Sequence, residues 1–155
     1  MVAFVRRLGS AGMAERASGN VAVGSAVYQR SGCARCHRIG TAGGVLGPDL
    51  TAVGRRRGLG FLAESVVKPE ADVPNAYRAT QVVLKTNASV TGVRLNEDDL
   101  SIQLRDMAGE LRSFLKTEVK EIRRTQPPIM PAYTSLGKAG LDDLVAYLSS
   151  LKGSE

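Results

Sequence analysis

The sequence predicts a mainly α fold, helical at both ends, with a small antiparallel β meander inserted before the last helix. Three observations predict it. Apolar residues recur at helical spacing near Val21–Arg30 and again near Leu141–Leu151. From about residue 78 to 124 the period changes to short β-branched and aliphatic runs in which apolar and polar residues alternate. Glycine-rich and proline-rich stretches separate these blocks.

Taken in order, residues 1–18 read as an N-terminal extension, and residues 19–152 as one domain carrying the β insertion at about 78–124. Met1–Gly19 contains Arg6 and Arg7 but no uninterrupted apolar run, so it is a poor secretory signal. Either a signal has been removed or the sequence is a piece of a longer secreted protein; the second is favoured, because Val2–Ala17 resembles the tail of a preceding helix. The first helix runs from about Val21 to Arg30, with Asn20 as N-cap, Gly32 after its end, and Val23, Ala26 and Val27 as its apolar face. Gly40–Gly60 holds seven glycines and a proline and reads as loop, followed by a short helix at about Phe61–Val67 that Pro69 stops. Strands are expected at Thr80–Lys85, Val90–Leu95, Leu100–Arg105 and Leu111–Leu115, with a fifth at Val119–Arg124. The turns between them are Thr86–Ala88, Asn96–Asp99 and Asp106–Gly109. Pro127, Pro128 and Pro131 force an extended loop. The last helix covers about Leu141–Leu151 and presents Leu144, Tyr147, Leu148 and Leu151 on one side.

Composition narrows the function. The chain of 155 residues is 43% hydrophobic and 23% charged, as a single globular domain is, and aromatics make up only 5%. So few large rings suit a core built around a bulky apolar cofactor. The net charge is +6, with basic runs at Arg55–Arg57 and at Lys120, Arg123 and Arg124, each read as a solvated face. No aromatics interleave with these arginines and no binding motif accompanies them, which argues against nucleic acid. No stretch approaches the ~18 apolar residues of a membrane span. Two cysteines exclude a disulfide framework or a four-cysteine metal cluster.

Those two cysteines carry the chemistry. In Cys33-Ala34-Arg35-Cys36-His37, the thiols are spaced to add across the two vinyl groups of one haem. The histidine that follows is then held against one porphyrin face, where its imidazole can bind iron. Three other readings compete. A thioredoxin-like pair wants a strand before it and a helix after it, whereas a helix precedes here and a glycine-rich loop follows. A zinc site needs more soft ligands than two cysteines and the chain's only histidine. The third is an inert pair of buried cysteines. Haem attachment is the reading the motif supports best.

A second axial ligand is expected far along the chain. Met130 is the candidate, held between stiffening prolines in Pro128-Ile129-Met130-Pro131. A lone methionine more often fills an apolar gap, but Met1 and Met13 precede the haem motif and Met107 falls in a polar turn. In Gly47-Pro48-Asp49-Leu50, the Pro48 carbonyl is placed to accept the second ring N–H of His37 and so orient the ligand. Gly24 and Tyr28 lie four apart on the first helix, and Tyr147 on the last helix is the expected packing partner.

Together these residues resemble class I cytochrome c: the helix with Gly24 and Tyr28, Cys-X-X-Cys-His, Gly-Pro-Asp-Leu, a late Met-Pro and a terminal Leu-rich helix with Tyr147. More narrowly, the chain resembles the haem-binding domain found at the C-terminus of large secreted bacterial, quinoprotein-dehydrogenase-like proteins. Gly47-Pro-Asp-Leu-Thr, Val67-Lys68-Pro69 with Tyr77, the strand block and Met130-Pro131 carry that likeness over about Gly19–Lys152. The resemblance implies a cytochrome c fold, with N- and C-terminal helices packed around one covalently bound haem c and the β meander inserted. Cofactor-binding residues are then Cys33, Cys36, His37, Pro48 and Met130, with His37 and Met130 on the iron. The implied function is one-electron transfer between a dehydrogenase donor and a respiratory acceptor, without bond-making catalysis. Redox partners with acidic docking surfaces and a bacterial periplasmic or otherwise extracytoplasmic location follow from it. The alternative is a haem-based sensor or small-ligand module in which Met130 is labile.

Overall fold

In the computed structural model, which describes residues 16–124 and 128–153, the first helix begins where a capping side chain allows it. Asn20 Oδ1 accepts from the N–H groups of Ala22 (2.9 Å) and Val23 (3.1 Å), and helix α1 runs Val21–Arg30. Gly32, at φ 72°, turns the chain out of it. The buried side of α1 is Gly24, Val27 and Tyr28, so of the expected face only Val27 is buried. Val23 is 43% exposed and Ala26 is exposed too, because the last helix crosses at the bare backbone of Gly24.

A 3₁₀ turn at Cys33–Arg35 follows, then a two-stranded ribbon of β1 (Arg38–Ile39) and β2 (Ala42–Gly43). Next come the short helix α2 (Val53–Arg56), helix α3 (Leu59–Val67) and a 3₁₀ turn at Asn75–Tyr77. At the far end, a 3₁₀ turn at Thr134–Leu136 leads into α4, Gly137–Ser150, which starts four residues before the expected Leu141. Residues 1–15 of the expected extension, and Pro127 of the proline loop, lie outside the described residues.

Five strands lie between: β3 (Ala79–Leu84), β4 (Ser89–Glu97), β5 (Ser101–Asp106), β6 (Leu111–Leu115) and β7 (Val119–Arg123). All are antiparallel, in the order β6-β5-β4-β3-β7. The expected meander therefore holds for four strands only. β7 crosses back and pairs with β3 (Val82↔Ile122), where Ile122 covers Val82 and its alternating charges form the outer edge.

The mainly α expectation is overturned. Among the described residues helix makes up 34% and strand 26%, so the fold is mixed, with a five-stranded sheet and four helices. The strand share was underestimated because β4 continues past a register shift between Arg94 and Asn96 into residues read as a turn. Helix is not scarcer than expected, since α2 adds four residues within the glycine-rich stretch read as loop and α4 starts four residues early; it is the size of the sheet that removes the mainly α description.

Two apolar clusters share no buried residue. One joins α1, α3 and α4 through Val27, Tyr28, Leu62, Val66, Leu144 and Leu148. The other lies on one face of the sheet, where Val82, Ile102 and Leu104 are fully buried against Phe114, Val119 and Ile122. At ~1.5–3 kcal/mol for each fully buried aliphatic side chain, each cluster stabilises its own half. The halves meet where β4, with Val93 buried, packs on the Asn75–Tyr77 turn.

Candidate functional site

The 3₁₀ turn after α1 closes with Cys36 N–H donating to the Cys33 carbonyl (3.2 Å) and His37 N–H donating to the same oxygen (3.0 Å). That tight turn brings Cys33, Cys36 and His37 onto the wall of one cavity of about 720 Å³. The volume falls within the ~300–1,000 Å³ typical of ligand sites. Apolar side chains dominate the rest of the wall, including Leu46, Leu50, Phe61, Leu62, Leu144 and Leu148.

His37 is fixed in orientation and in tautomer. Its Nδ1 lies 2.9 Å from the Pro48 carbonyl. A carbonyl only accepts, so Nδ1 carries the proton and Nε2 keeps its lone pair. Burial pulls the imidazole below its ordinary pKa of 6.5, partly opposed by the Pro48 carbonyl, so the ring is neutral near pH 7 and able to bind a metal. Tyr28 Oη donates to the His37 carbonyl at 3.1 Å. Burial, with the Cys33 thiol next in effect, pushes that phenol up to about 12.

Gly47 makes the approach to the ring possible. Its N–H donates to the Cys36 carbonyl (2.8 Å), and a Cβ there would stand 2.6 Å from His37 Cε1. The loop that carries Pro48 is tied down by the next residue. Asp49 accepts from Thr51 N–H (2.7 Å) and from Arg38 Nη2 (2.8 Å); the Thr51 side-chain hydroxyl first, then Arg38 and the Thr51 N–H, hold its carboxyl well below the usual range. Arg56 Nη2 donates to the Asp49 carbonyl at 2.8 Å.

The distant loop reaches the same cavity. Pro128, Ile129, Met130 and Pro131 all line it. Behind them, Tyr133 N–H donates to the Val66 carbonyl (3.0 Å) and Tyr133 Oη donates to the Ser31 carbonyl (3.1 Å), which ties the loop to α3 and to the end of α1. All five residues singled out in the sequence (Cys33, Cys36, His37, Pro48 and Met130) therefore line one space. Met107 is half exposed in the β5–β6 turn and does not line it.

Some contributors were missed. Arg56 and Arg57, read as a solvated face, line the cavity, with the Arg57 guanidinium 4.4 Å above the Phe61 ring. Their only sequence signal is closeness to Gly47-Pro48-Asp49-Leu50, which does not reveal which way a side chain turns. Tyr133 gave no signal beyond its place three residues after Met130.

Two thiols, one lone-pair imidazole nitrogen, a thioether and apolar walls fit a covalently attached haem. The competing readings fit less well. Burial raises the Cys33 thiol rather than lowering it, unlike a redox-active thiolate. Among the described residues, no three His, Cys, Asp or Glu side chains cluster as metal ligands.

Fold and site thus define a haem-attachment module. A family model for cytochrome c matches residues 21–102, just over half the sequence, and the chain belongs to that family. Such a domain carries a covalently bound c-type haem and serves haem-based electron transfer. The match begins with the first residue of α1 and ends at Ile102 within β5, so Met130 and α4 lie beyond it. No curated protein matches the sequence.

Proposed function

We propose that the chain is a one-electron carrier that holds a single haem c through Cys33 and Cys36, with its iron between His37 and Met130. The observation that carries this reading is the shared cavity: His37, its Nδ1 committed to Pro48, lines the same space as both thiols and Met130. When bound, the haem supplies an Fe(II)/Fe(III) couple, and histidine–methionine ligation favours the reduced form. Each residue then has a task. Pro48 holds the imidazole at one angle, and Gly47 leaves room for it. The Tyr133 hydrogen bonds hold the Met130 loop in place. Arg56 and Arg57, on the cavity wall, would supply cations to the haem's carboxylates. With His37 and Met130 both holding the iron, no site for substrate would remain on it.

The domain is proposed to span residues 19–152, with the sheet at about 78–124 inserted between the His37 and Met130 loops. In keeping with the likeness to C-terminal domains of secreted quinoprotein-like enzymes, a dehydrogenase is the proposed electron donor and a respiratory carrier the acceptor. Acidic partners and a transient contact suit the basic surface. Covalent haem attachment is carried out outside the bacterial cytoplasm, so the working location is periplasmic or otherwise extracytoplasmic.

The test is the visible spectrum of the oxidised and reduced holoprotein. A weak far-red iron–methionine band in the wild type, lost in Met130→Ala while the haem stays covalently bound, is the expected result. Absence of that band in the wild type, with a spectrum that responds to carbon monoxide, would overturn the carrier reading in favour of a ligand-binding sensor.

A further inference from the structure

We infer that β6 is a docking edge for a second copy of this chain, which adds its own β6 antiparallel about a two-fold axis at Ser113. The strand is the outermost of the sheet. Its main-chain direction follows from two bonds: Lys116 N–H donates to the Leu100 carbonyl (2.8 Å), and Asp106 N–H donates to the Glu110 carbonyl (2.9 Å). Hydrogen-bonding direction alternates along an antiparallel ladder. Glu110, Arg112, Phe114 and Lys116 therefore turn their main-chain groups toward β5. Leu111, Ser113 and Leu115 turn theirs outward.

The sequence around Ser113 is complementary to itself in that register. Glu110-Leu111-Arg112-Ser113-Phe114-Leu115-Lys116, laid antiparallel on its own copy, sets Ser113 against Ser113 and Leu111 against Leu115. It also sets Arg112 against Phe114 and Glu110 against Lys116. The outward-facing residues are the ones that meet, so the register that matches the side chains also matches the hydrogen bonds. Ser113 N–H and carbonyl bond to their symmetry mates, and each Leu115 N–H meets a Leu111 carbonyl. The Leu115 carbonyl already accepts from Glu118 N–H within the chain.

Exposure supports the same surface. Leu111 is 68% exposed and Leu115 55%, an unusual cost for an edge strand facing water. Glu110 makes no ion pair among the described residues. Lys116 lies 3.2 Å from Glu97, which has Arg94 and Arg124 as well, so Lys116 can reach a second carboxylate. The opposite edge lacks these features. About its centre, β7 sets Glu121 against itself, a repulsive cross-strand pair.

One added strand pair is a small contact of the weak, transient kind, so a reversible dimer of about micromolar to millimolar dissociation constant is expected. Sedimentation equilibrium of the holoprotein over that concentration range should show monomer and dimer in exchange. Ser113→Pro removes the central N–H, and Glu110→Lys sets a cation opposite Lys116 of the second copy. Each should weaken the dimer at least about tenfold with the visible spectrum unchanged. Glu110→Lys is an exposed change that keeps the test valid if Ser113→Pro fails to fold. The register has its own readout: Ser113→Cys should cross-link to itself under oxidation, and Leu111→Cys should not. A monomer at every concentration, or a dimer that neither variant weakens, overturns the inference, as does cross-linking at both cysteine positions alike.

Discussion

His37 is held by three small facts: a carbonyl at 2.9 Å from Nδ1, a tyrosine hydroxyl on its own carbonyl, and no side chain at position 47. The last is the easiest to probe. Gly47→Ala introduces a Cβ 2.6 Å from Cε1 and 2.8 Å from Nδ1, so the ring or the loop must move. Overpacking of this kind costs about 1–3 kcal/mol. The expected result is a lower urea midpoint for the holoprotein and, if His37 and Met130 hold the iron as proposed, a weakened far-red band, because a displaced ring loses the Pro48 bond that orients it. An unchanged midpoint and spectrum would mean that the Gly47 contact is slack and does not position the ligand. The residues of this site were legible in proportion to how local their signal is. Cys33, Cys36 and His37 form one pentapeptide, and Met130 stood out between prolines. Arg56, Arg57 and Tyr133 contribute through side-chain direction, which a charge run or a lone tyrosine does not encode.

Helix pairing makes a similar contrast between what is present and what is missing. α1 and α4 cross where Gly24 meets the main chain of Asp143, and a Cβ at position 24 would overlap that carbonyl oxygen. Beside the crossing, the Tyr28 and Tyr147 rings stand 5.6 Å apart at 56°, and Asn20 N–H donates to Asp143 Oδ1 at 2.7 Å. Gly24→Val should push the helices apart at a cost of about 1–3 kcal/mol. At roughly 2–4 °C per kcal/mol, calorimetry should register a clear fall in Tm. Val23→Ala, one residue away but exposed, should stay within about 0.5 kcal/mol. Equal effects at the two positions would show that the crossing is looser than its geometry. Periodicity found the extent of α1 to the residue and rightly placed Val27 inside, and the Gly24 and Tyr28 spacing foretold the packing on Tyr147, but Val23 and Ala26 were wrongly added to the buried face. The strands fared likewise. Alternation located all five, but which strand β7 pairs with depends on where Ile122 finds Val82, and alternation within one strand says nothing about its neighbour.

Across the protein, the separation of the two apolar clusters suggests that its halves lose structure under different conditions. The sheet's polar flank rests on carboxylates. Glu97, only 10% exposed at its side chain, meets Arg124 at 2.7 Å and Arg94 and Lys116 at 3.2 Å. Asp106 meets Arg112 at 2.7 Å and caps the β5–β6 turn through Ala108 N–H and Glu110 N–H. The Arg124 hydrogen bond holds the Glu97 carboxyl below its ordinary 4.5, and the Arg112 hydrogen bond holds Asp106 below 3.8. A carboxyl lowered on folding stabilises the folded state fully above its unfolded pKa and loses that contribution as pH falls through the folded value. Sheet stability should therefore begin to fall below about pH 4.5 and continue falling in stronger acid. Asp49, the corresponding carboxylate near His37, is held much lower and should keep its contacts longer. Amide hydrogen exchange of the holoprotein at descending pH should show β3–β7 losing protection first, with α1 and α4 still protected. Glu97→Gln should make the protection of the sheet less dependent on pH, because its amide has no proton to gain. Simultaneous loss in sheet and helices would mean that the contact of β4 with the Asn75–Tyr77 turn couples the clusters into one cooperative unit, and the two-core description would then fail as an account of stability.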